Sequence, residues 1–94
     1  MRVVFWENSF RRALKRLLRK SPQLQQKVTE VLVLLESDPF TPSIKTHKLQ
    51  GDLKELWSCS VEYDCRIIFA FEPLENSEEE LIVLIDIGSH DDVY

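Results

Sequence analysis

No apolar run in this 94-residue chain approaches the roughly 20 residues of a membrane-spanning helix, so a spanning helix is excluded and no membrane partner is expected. The opening Met-Arg-Val-Val-Phe-Trp-Glu has neither the apolar region nor the small-residue cleavage site of a secretory signal, and a cytoplasmic protein is expected. Cysteine is scarce. Cys59 and Cys65 lack the further ligands of a zinc site, and in a cytoplasmic setting they read as reduced, packed thiols. Ser58 and Ser60 have no accompanying triad signature, which argues against a nucleophilic serine. Repeats and low-complexity segments are absent, and with 44% apolar and 30% charged residues the chain reads as one folded domain spanning 1–94.

Positive charge is missing from the last quarter. Residues 71–94 hold Glu72, Glu75, Glu78, Glu79, Glu80, Asp86, Asp91 and Asp92 with no Lys or Arg. Residues 1–20 are the reverse: Arg2, Arg11, Arg12, Lys15, Arg16, Arg19 and Lys20 stand against Glu7 alone. The net charge of −4 therefore conceals a basic face suited to a polyanion or an acidic partner, although a solvated helix face has the same composition.

Hydrophobic spacing gives the element order. Residues 2–6 are β-branched and aromatic enough for a short strand. Phe10, Ala13, Leu14, Leu17 and Leu18 recur at helical spacing after a cap at Asn8 or Ser9, with the basic residues on the other side. Ser21-Pro22 restarts a second helix, to about Glu36, with Leu24, Val28, Val31, Leu32 and Leu35 inward. Asp38-Pro39-Phe40-Thr41-Pro42 ends it, and a loop carries the chain through Lys45, His47 and Gly51. Trp57–Val61 alternates, with Ser58 and Ser60 on its polar side; Tyr63-Asp64 marks a turn before a strand from Cys65 to Phe71. Residues 73–80 form an exposed acidic turn, and Leu81–Ile85 is apolar throughout, as in a strand buried on both sides. The order β-α-α-β-β-β predicts an α+β domain with an N-terminal helical hairpin on a small, mainly antiparallel sheet.

The chain has only two histidines, His47 and His90. With Asp64, Arg66 and Tyr94 they supply the side-chain types that metal-free cleavage of a phosphodiester requires. Imidazoles exchange protons near neutral pH, and a guanidinium fork fits phosphate oxygens. Asp64 can take a proton or orient a histidine, and Tyr94 can stack on an unpaired base. Each also has a plainer role: His47 in loop structure, Asp64 in turn hydrogen bonding, Arg66 paired with Glu62 or another carboxylate on the same sheet face, and His90 and Tyr94 as exposed tail residues.

Three phrases carry a resemblance: Lys45-Thr46-His47-Lys48-Leu49-Gln50-Gly51, Tyr63-Asp64-Cys65-Arg66-Ile67-Ile68-Phe69, and the closing Asp86-Ile87-Gly88-Ser89-His90-Asp91-Asp92-Val93-Tyr94. Together with the element order they resemble the RelE/ParE toxin superfamily of type II toxin–antitoxin systems, and most of all its YafQ-like branch. That resemblance implies a metal-independent, cofactor-free endoribonuclease that cuts mRNA in the ribosomal A site by 2′-hydroxyl attack. It implies a cognate antitoxin as partner, contact with rRNA, and operator DNA reached only through the antitoxin. His47, Asp64, His90 and Tyr94 match the branch's site residues, and Arg66 stands where related toxins carry a phosphate-directed arginine. His47 and His90 are the expected acid–base pair, in unassigned order. Arg11, Arg12, Lys15, Arg16, Arg19 and Lys45 would contact rRNA phosphates. Ser60 replaces a further catalytic histidine of a relative, and Ser58 an acidic residue. A catalytically weak antitoxin-binding module and a ParE-like gyrase inhibitor are the alternatives.

Overall fold

The structure is a computed structural model that describes residues 2–53, 55–89 and 93, with Asp52 described by its backbone alone. Strand β1 (Val3–Trp6) leads directly into helix α1 (Asn8–Lys20). A 3-10 turn (Pro22–Leu24) precedes helix α2 (Gln25–Ser37), and a second (Pro42–Ile44) precedes strand β2 (His47–Lys48). Strands β3 (Trp57–Glu62), β4 (Cys65–Pro73) and β5 (Glu80–Gly88) complete one sheet, ordered β1-β5-β4-β3-β2. β1 runs parallel to β5 and every other pairing is antiparallel, as the α+β reading requires. No helix among the described residues is long and apolar enough to cross a membrane.

One face of the sheet meets both helices. Phe10 and Ala13 from α1, and Val28, Val31 and Leu35 from α2, close over Cys59, Ile67, Phe69, Ile82 and Leu84. These positions alternate along each strand and recur every three or four residues along each helix, so a single apolar layer forms between them. The thiols of Cys59 and Cys65 lie in this layer and are free. Burial pushes Cys59 up to about 12; burial, then Glu62 and Asp64, push Cys65 up to about 11. Both are neutral thiols at physiological pH. Unfolding would release them to ionise near 9, so their contribution is complete below that pH and drains away as the pH climbs towards 11–12. Urea midpoints are therefore expected to hold steady from pH 7 to 8.5 and to fall above pH 9, with the drop removed in a Cys59→Ala/Cys65→Ala variant.

Four expectations are corrected. Neither Asn8 nor Ser9 caps α1; Glu7 is the extended cap residue, with no side-chain cap bond. The Ser9 hydroxyl donates instead to the Ile85 carbonyl at 2.6 Å. β5 bulges there, because Ile68 pairs with Asp86 while the next residue, Phe69, pairs with Leu84, so Ile85 is left without a strand partner. The second helix does not run unbroken from Pro22, since a 3-10 turn comes first. The stretch through His47 is not wholly loop: His47 and Lys48 pair with Ser58 and Trp57, too short a strand for any periodicity to betray. Finally, Ser58 is fully buried rather than part of a wet face, as are Ile68 and Val83 on the same side of the sheet.

Candidate active site

His47 is set by the turn before it. Lys45 adopts a left-handed conformation (φ 53°) that ends the Pro42–Ile44 turn, and the Thr46 hydroxyl donates to the Pro39 carbonyl. The Lys45 carbonyl then faces the His47 ring, 3.0 Å from Nδ1. A carbonyl only accepts, so Nδ1 carries the hydrogen. In the neutral ring the lone pair is consequently on Nε2, the nitrogen available to a substrate. The imidazole is exposed.

Strand register relates this ring to Arg66. His47 is opposite Ser58, while Ser60, two residues further along β3, is opposite Arg66. Directly paired residues, and those two apart, project from the same face, so His47, Ser58, Ser60 and Arg66 share the face away from the helices. Standard strand spacings put the two Cα atoms roughly 12 Å apart, close enough for both polar heads to reach one linkage. The Arg66 guanidinium donates to the Ser60 hydroxyl, which draws it towards β3 and His47. This bond orients the cation. Arg66 is also opposite Gly88, the last residue of β5.

Asp64 occupies the exposed two-residue turn between β3 and β4, next to Cys65 and two positions from Arg66. His90 and Tyr94 lie outside the described residues. Of the expected ribosome-binding set, Arg11, Arg12, Lys15, Arg16, Arg19 and Lys45 are all exposed. Arg11 is partly committed, with its Nε donating to the Trp6 carbonyl and its guanidinium 5.5 Å from the Trp6 ring centroid. No group of three or more His, Cys, Asp or Glu among the described residues is arranged to hold a metal ion.

The sequence pattern gives no sign of one further feature. A cleft of about 390 Å³ opens where α2, Lys45 and the far end of β3 meet, and Tyr63, Ser60 and Arg66 all line it. By pattern alone Tyr63 is only a turn residue. A turn position is equally open to small and large side chains, and nothing in the local pattern shows what lies beside it.

Residues 2–94 match the family of YafQ toxins of bacterial type II toxin–antitoxin systems. No curated protein sequence matches significantly. Among solved structures, YafQ from Escherichia coli BL21(DE3) superposes with a TM-score of 0.77 at 22% identity, over 100% of this chain and 99% of that one. YafQ in the E. coli DinJ–YafQ complex gives 0.77 at 21% identity, again over 100% and 99%. A YoeB/ParE toxin from Agrobacterium tumefaciens gives 0.75 at 18%, over 94% of this chain and 98% of that one. The fold is that of these toxins.

Proposed function

This chain belongs to the YafQ family of toxins of bacterial type II toxin–antitoxin systems, and from that premise we propose that it is a ribosome-dependent mRNA endoribonuclease held inactive by a cognate antitoxin. The observation that carries the reading is an exposed imidazole with Nε2 free, on the same sheet face as a guanidinium tied towards it. The antitoxin follows from the family and from the DinJ–YafQ complex of a structural relative. Operator DNA would be reached through that antitoxin.

In the proposed reaction His47 and His90 divide the two proton transfers. The base removes the 2′-hydroxyl proton as O2′ bonds to the adjacent phosphorus. The P–O5′ bond breaks, and the acid supplies the proton that O5′ needs. The products are a 2′,3′-cyclic phosphate and a 5′-hydroxyl. Arg66 balances the extra charge on the phosphorane-like transition state, and such preorganised positive charge is a major source of rate in phosphoryl transfer. Asp64 orients an imidazole or exchanges a proton, and Tyr94 stacks on a base. Ser60 takes no proton; it holds Arg66 in place. The basic face of α1, with Lys45, meets rRNA phosphates, an attraction that weakens steeply with salt.

Primer extension on cellular mRNA after brief induction tests the reading. New ends within translated codons, and undiminished cutting by purified protein and ribosomes in a chelator that spares the ribosomes' magnesium, are the expected results. Intact mRNA with altered plasmid supercoiling would replace the reading with gyrase inhibition. Intact mRNA and normal growth would leave an antitoxin-binding module.

A further inference from the structure

Tyr63 is 97% exposed, the most open of the large apolar side chains among the described residues. Burying such a ring stabilises a protein, a gain the folded chain alone does not take. Tyr63 is also one of the residues that line the cleft, with Arg66 and Ser60. Lys27 on α2 and Lys45 before β2 supply two further cations to the same cleft, against the carboxylates of Glu30 and Glu62. The lining therefore has a surplus of positive charge together with an exposed aromatic ring. An aromatic face beside two ammonium groups is the recurrent means of holding single-stranded nucleic acid, because every base has a π-face and every nucleotide a phosphate.

The geometry points to a nucleotide subsite. One unpaired RNA nucleotide next to the scissile linkage occupies this cleft, its base stacked on Tyr63 and its phosphate met by Lys27 and Lys45. The inference rests on the RNA-cleaving reading above, since Arg66 joins the cleft to the reacting phosphate. It adds a binding residue, Tyr63, and a second cation, Lys27, that the acid–base scheme does not use.

The test is direct binding of a fluorescein-labelled hexamer of 2′-O-methyladenosine to the purified full-length protein. The blocked 2′ oxygen makes this probe uncleavable. Wild-type protein and Tyr63→Phe are expected to bind with similar affinity, and Tyr63→Ala about tenfold or more weaker, the worth of one base–aromatic stack. Lys27→Gln/Lys45→Gln should lower affinity and flatten the dependence of log K on log salt by about 0.7 for each phosphate no longer neutralised. No binding by wild type, or Tyr63→Ala binding within twofold of it, would overturn the subsite. The two ideas fail separately. Protein that binds the hexamer through Tyr63 yet leaves mRNA whole keeps the subsite and loses the nuclease; protein that cuts mRNA while Tyr63→Ala binds normally does the reverse.

Discussion

Cleavage of mRNA by ribosomes supplied with the His47→Ala variant is expected to be about 10²–10⁴-fold slower than with wild type, the usual worth of one acid–base group. Stability should be almost unchanged. The ring is exposed, and it bonds to the Lys45 carbonyl, which water can satisfy once the ring is gone. A large loss of rate with an unmoved urea midpoint thus separates chemistry from folding. Single-turnover cleavage on programmed ribosomes would measure the first, and circular dichroism in urea the second. Wild-type rates from His47→Ala would end its role as acid or base. Arg66→Lys provides a companion result: charge remains but the planar fork is lost, so cleavage should drop while the fold holds.

The second large effect concerns stability. Phe69→Ala should cost about 3–5 kcal/mol, a large part of the 5–15 kcal/mol typical of a small domain. Phe69 is fully buried on β4, the central strand, where it joins the layer beneath both helices and meets Phe71 edge-on at 5.5 Å. Truncation leaves a cavity that neighbouring strands cannot close without breaking the ladder. Phe40→Ala is the matched control. Phe40 stacks on Phe71 at 5.9 Å but is 53% exposed, so its loss should cost far less. Urea titrations of both would settle the comparison, and equal costs would contradict the assigned core.

Much of this architecture is readable from spacing because burial writes a period into the chain. Phe10 and Ala13, or Val28, Val31 and Leu35, announce a helix by where they recur, and Ile82, Val83 and Leu84 a strand covered on both sides. What lacks a period is not legible. His47-Lys48 is too brief to show one, and its pairing is fixed by the free edge of β3. Ser58 looks solvated by type because hydroxyls usually are, yet it sits in a closed patch with Ile68 and Val83. The candidate site divides in the same way. His47 and Arg66 stand out by chemistry, and cross-strand register places them on one face. The hold of Ser60 on Arg66 and the cleft beside Tyr63 depend on which residues become neighbours through register, which composition does not reveal.

The parallel seam between β1 and β5 has a consequence for when the toxin comes into being. Val3 to Trp6 zip onto Leu81 to Leu84, and Ser9 reaches Ile85 across 76 positions of sequence. A nascent polypeptide that has not yet reached β5 offers its first strand nothing to join, and pairings of such long range close slowly. Competence is thus withheld until β5 has been made, and a product stopped short of it carries the basic helix but no completed sheet.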